Sequence, residues 1–141
     1  MNSSRSIALL STVAAFVVGT LPAHAATTVR SGTFTVKGTV ALSANAPVSA
    51  PLTATASVYF YDPDGGSQNA SITATVTRSG NKANVTLTLP YSWSVSQTTG
   101  KVTVTFSISA AATGSPRTQV STTVPLPANG AATLVNLPAA L

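Results

Sequence analysis

The chain has 141 residues, 44% of them hydrophobic and only 6% charged, with no cysteine. Its net charge of +5 reflects a shortage of acids, with two aspartates against seven Lys and Arg, and the bases are scattered singly. Clustered bases interleaved with aromatics, the mark of nucleic-acid binding, are absent, and so is any disulfide framework, so stability must come from an apolar core.

Residues 1–25 read as a cleaved signal peptide. Arg5 supplies the positive end, Ile7 to Gly19 the apolar stretch, and Ala23-His24-Ala25 a small-residue cleavage site. The apolar stretch of 13 residues is shorter than the ~20 a membrane-spanning helix needs, and no later run qualifies. The expected product is residues 26–141, one exported domain of 116 residues destined for a periplasm, a cell surface or the medium.

From there the sequence alternates apolar and polar residues with a period of two, the signature of strands with one buried face. The first strand is expected over 33–42, with Phe34, Val36, Val40 and Leu42 inward. The second, over 53–61, turns Val58 and Phe60 inward and Tyr59 and Tyr61 outward. The third, over 71–78, is expected to turn Ile72, Ala74 and Val76 inward. The fourth, over 84–95, carries Val85, Leu87, Leu89, Tyr91, Trp93 and Val95 on its core face. The fifth, over 101–109, alternates Val102, Val104, Phe106 and Ile108 with Thr and Ser. Strands over 118–126 and 132–137 complete seven.

Turn signals separate these strands. Asp62-Pro63-Asp64-Gly65-Gly66 and Ser79-Gly80-Asn81-Lys82 follow the second and third, and Thr99-Gly100 precedes the fifth. Asn129-Gly130 predicts a hairpin between the sixth and seventh. The longer segment 43–51, with two prolines, suits a crossing between sheets, and 111–117 is a second loose connection.

Seven strands with one polar face each imply an all-β fold, an antiparallel β-sandwich, with a closed β-barrel as the alternative. In outline the pattern resembles the immunoglobulin-like and fibronectin-like sandwiches, without the Cys…Trp…Cys frame of the former.

After residue 25 the sequence has no His, Cys or Glu. The usual general bases and soft metal ligands are therefore missing, and a Ser or Thr nucleophile has only lysines or two aspartates to activate it. The expectation is a non-catalytic protein without a cofactor. The residues that could still carry chemistry lie around "YFYDPDGGSQN", residues 59–69. Asp62, Asp64 and Asn69 are candidate calcium ligands, but six to eight oxygens are needed and no second acidic cluster exists to complete a shell. A turn explains the same residues: Pro63 presets φ, Asp62 accepts from the turn's own amides, and the glycines tolerate positive φ.

Tyr59 and Tyr61 are candidate ligand-binding residues, because exposed aromatic faces stack on sugars. Trp93 shares the parity of its strand's core residues and is assigned to the core.

Thr-x-Thr pairs begin at 33, 53, 73, 86 and 103, with no fixed period, so neither a solenoid nor an ice-binding repeat is expected. "KVTVTFSIS" would invite self-association if left at a sheet edge, and would be protected in a central position. The partner expected is a protein or polysaccharide of the cell envelope, with a structural or interaction role. The alternative is a carbohydrate- or small-ligand-binding module using the two tyrosines.

Overall fold

A computed structural model describes residues 26–43, 51–110 and 117–141; the signal-peptide assignment, most of the 43–51 segment and most of 111–117 lie outside them. Seven strands follow in order: β1 (Thr28–Ala41), β2 (Leu52–Asp62), β3 (Gly66–Val76), β4 (Lys82–Val95), β5 (Lys101–Ala110), β6 (Arg117–Pro125) and β7 (Ala132–Ala140). They form two sheets, of order β4-β1-β7 and β3-β2-β5-β6, packed face to face as a sandwich. β1 and β3 each begin five residues earlier than the alternation predicts, with Arg30 paired opposite Trp93 and Gln68 opposite Phe60.

One pair departs from the antiparallel expectation: β7 runs parallel to β1, with Thr33 opposite Ala132 and Ala41 opposite Ala140. β1 is the central strand of its sheet, antiparallel to β4 on one side and parallel to β7 on the other.

The core follows from the parity of the strands. Phe34, Val36 and Val40 of β1 face Val58, Phe60, Val104, Phe106 and Ile108 of the other sheet, all fully buried. The fit is set by one glycine. At the inward position Gly38, a Cβ would lie 2.4 Å from Cζ of Phe106, so the ring fills the space a side chain would take. At one end of the core, Tyr91 and Trp93 (ring centroids 4.5 Å apart) lie against Phe34, and Phe60 stacks on Trp93 at 6.1 Å. Trp93 is a core residue, as its parity predicts.

Two sequence expectations are corrected. Ile72 was expected inward, yet it is 36% exposed and Ala74 only half-buried. β3 is an edge strand, so residues of inward parity there are covered from one side only. Asn129-Gly130 does not close a hairpin, since β6 and β7 lie in different sheets. Pro125 and Pro127 flank the buried Leu126 and stop the pairing of β6, and the turn carries the chain across the sandwich. There the Asn129 side-chain oxygen accepts from the Ser31 amide at 2.8 Å, and Gly130, at φ 79°, donates its amide to the Ser31 carbonyl. "KVTVTFSIS" forms β5, paired with β2 on one side and β6 on the other. β1 and β2, which flank the 43–51 segment, lie in different sheets as its length suggests.

Candidate functional site

The residues singled out between 59 and 69 lie on the β2–β3 hairpin, and the pleat sends them to opposite faces. Asp62 continues the inward parity of Val58 and Phe60, whereas Tyr59 and Tyr61 point outward.

Asp62 is fully covered. Its carboxylate accepts hydrogen bonds from the Ser96 hydroxyl and amide, and from the Asp64 amide at 3.1 Å. Ser96 follows β4, so these bonds tie the turn of one sheet to the end of a strand in the other. The same hydroxyl lies 3.3 Å from Oδ2 of the exposed Asp64. Gly65 allows the close approach: a Cβ there would sit 3.1 Å from the Ser94 carbonyl oxygen. Gly66, at φ 74°, takes the left-handed conformation that closes the hairpin.

These bonds act on charge. The Ser96 hydroxyl, helped by the amides of Ser96, Asp64 and Gly65, outweighs the effect of desolvation and lowers the Asp62 pKa from 3.8 to about 2. The covering is thin, since Asp62 sits at the end of the sandwich rather than at its centre, and the hydrogen bonds dominate.

The calcium set is not brought together. Asn69 stands directly opposite Tyr59 in the ladder and so shares its outward face, away from the inward Asp62. Both oxygens of Asp62 already accept from protein donors. Among the described residues no group of three or more His, Cys, Asp or Glu lies together.

The outward face of the four-stranded sheet is the feature the sequence did not reveal. Registering its strands produces four columns of five outward positions: 67, 69, 71, 73 and 75 on β3; 61, 59, 57, 55 and 53 on β2; 101, 103, 105, 107 and 109 on β5; and 125, 123, 121, 119 and 117 on β6. Thirteen of these twenty are Ser or Thr, and the only charged ones, Lys101 and Arg117, lie at opposite ends. Three of the Thr-x-Thr pairs, those beginning at 53, 73 and 103, thus converge on one sheet face without any repeat in the sequence, while those at 33 and 86 lie on the other sheet. Thr55 and Thr73 hydrogen bond across it at 2.9 Å.

Tyr59 and Tyr61 stand at one end of this face, 44% and 59% exposed. The Tyr59 hydroxyl is 3.0 Å from the Ser67 hydroxyl, which holds its ring against the sheet. Two flat apolar faces with polar tips, bordered by Ser67, Asn69 and Thr103, are available to a ligand.

No protein-family model matches this chain, and neither does any curated protein or solved structure. The class defined by the structure is a seven-stranded β-sandwich with one strand added in parallel.

Proposed function

We propose that this chain is a non-catalytic, exported β-sandwich protein with a structural or protein-interaction role at the cell envelope, cell surface or extracellular matrix. The observation that carries this reading is the broad hydroxyl-rich face of the four-stranded sheet, uncharged except at its two ends. Such a face offers many weak, non-ionic contacts over a wide area, which suits surface contact rather than bond-making. The only two acidic side chains of the sequence sit together at the turn at its end, where Asp62 is occupied by Ser96. The amino-terminal signal pattern is what supports export.

Cross-linking pull-down from the native host, combined with fractionation, tests the reading. Recovery from the envelope or medium with a cross-linked macromolecular partner is expected. Recovery of a free cytosolic protein would overturn it.

The exposure of Tyr59 and Tyr61 favours a second reading, a carbohydrate-binding module in which the tyrosines stack on sugar rings. A glycan-array signal that disappears in the Tyr59→Ala/Tyr61→Ala double variant is the expected result. A signal unchanged by the double variant rejects this pair as the binding residues.

A further inference from the structure

Among the described residues the sandwich has four edge strands, and three of them carry devices that discourage strand pairing. β4 contains Lys82 and Pro90, β6 begins at Arg117 and ends at Pro125, and β7 contains Pro138. β3 contains none. Its eleven residues, Gly66–Val76, include no proline and no charged side chain, and among the described residues it is paired only with β2. Natural sheets blunt exposed edges with charge, proline or bulges, because a bare edge offers unpaired amides and carbonyls to another strand.

From this contrast we infer that the free edge of β3 pairs with β3 of a second copy of this chain, joining two four-stranded sheets into one of eight strands. The inference specifies the partner in the interaction role proposed above and rests on that reading.

The strand is self-complementary. In an antiparallel pairing about a two-fold axis, directly opposite residues share a face, so the longest register sets Ser71 against Ser71. Asn69 then faces Thr73 of the second copy, Ser67 faces Thr75, and the hydroxyl-rich face continues across the junction. On the inner side Ala70 faces Ile72. This pairing covers Ile72, the largest apolar residue of β3, which the monomer leaves 36% exposed on the core-facing side. No charge on the strand meets a like charge.

The neighbouring rim leaves room for the second copy. A cleft of about 300 Å³ lies beside the C-terminal half of β3, between Ala74–Thr77 and Asn84–Leu87 of β4. The segment arriving there is the small-residue end of the second strand, Gly66 and Ser67. The two-fold pairing uses the β3 edge of both copies at once, leaving no β3 edge free, and the outer edges of the joined sheet are the two β6 strands, which carry Arg117 and Pro125 at their ends. Assembly therefore closes at a dimer and does not propagate into a fibre.

The absence of cysteine makes the register measurable. Opposed residues of antiparallel strands have Cα atoms about 4.5–5.5 Å apart, within the span a disulfide bridges. Residues 26–141 carrying Ser71→Cys are expected to form a covalent dimer on mild oxidation. Ser67→Cys alone should cross-link at least tenfold less, and a mixture of Ser67→Cys and Thr75→Cys copies should cross-link efficiently. Sedimentation of the unmodified domain should show a monomer–dimer equilibrium, weakened at least tenfold by Ile72→Lys. Ile72 is already 36% exposed, so this variant is expected to fold, and circular dichroism checks that it does.

A domain that stays monomeric to millimolar concentration, or a Ser71→Cys variant that cross-links no faster than Ser107→Cys on the central strand β5, overturns the inference. The envelope-interaction reading would survive that result, because the pull-down tests it separately. Cross-linking of Ser71→Cys to an unrelated chain in place of its own copy also overturns the homotypic pairing.

Discussion

The carboxylate of Asp62 and the hydroxyl of Ser96 bridge the two sheets, joining the β2–β3 turn to the end of β4. Most of what holds this sandwich together is apolar and insensitive to pH. This bridge is not. Asp62 has its folded pKa depressed from 3.8 to about 2, so its contribution to stability is fully present above pH ~4 and is lost as pH falls through about 2. Thermal melts between pH 5 and pH 2 should show stability declining over this window. Asp62→Asn should flatten the decline, and Ser96→Ala should lower the melting temperature at neutral pH and weaken the acid dependence. A wild-type domain with an unchanged melting temperature from pH 5 to 2 would contradict the bridge.

The same bonds bear on calcium. With both Asp62 oxygens accepting from protein donors and Asn69 on the opposite face, millimolar calcium against EGTA should leave the melting temperature unchanged. A shift of several degrees that Asp62→Asn abolishes would show that the turn rearranges to bind the ion.

Gly38 and Phe106 set the inter-sheet fit. Gly38→Ala places a methyl 2.4 Å from the ring, and overpacking of this kind typically costs about 1–3 kcal/mol. Phe106→Ala opens a cavity instead, at about 3–5 kcal/mol. The two sites touch, so Gly38→Ala combined with Phe106→Leu should be less destabilised than the sum of the single variants in urea titrations. Strict additivity would mean the ring does not rest on the glycine.

Tyr91 presents the opposite case. Its hydroxyl is buried without a hydrogen-bond partner, close above Gly32, and burial pushes its pKa up despite the nearby Arg30. An unsatisfied buried hydroxyl costs stability, so Tyr91→Phe should be neutral or stabilising by up to about 1 kcal/mol, read from the urea midpoint. A loss above that size would reveal a bond made by the hydroxyl.

Strand number, strand faces and nearly the whole core were legible, because alternation of residues such as Val102, Val104, Phe106 and Ile108 reports burial directly. The exposure of Tyr59 and Tyr61 followed from the burial of Phe60 between them. Strand order was not legible, and apart from the early starts of β1 and β3 the errors stemmed from it. Ile72 has the same local pattern as a core residue and differs only in lying on an edge. Asn129-Gly130 has hairpin chemistry, but which strands it joins depends on Pro125 and on a buried Leu126 capping the end of the sandwich. The hydroxyl face escaped notice for a related reason. Thr-x-Thr pairs at irregular intervals become columns only once Thr55 is opposite Thr73 and Ser107.

The parallel pairing of β7 with β1 gives the chain an order of events. β1 forms the middle of its sheet, yet its neighbours are β4 and, at the far end of the domain, β7. Even Leu141 is tied in, donating its amide to the Ala41 carbonyl and accepting from the Ser43 amide. Until residues 132–140 are available, the flank of β1 that β7 covers, Thr33–Ala41, has no partner strand from this pairing. Such contacts, distant in sequence, are slow to form. The three-stranded sheet is complete only once β7 has been made and has docked, so β1 stays half-paired while β2 to β6 are being added.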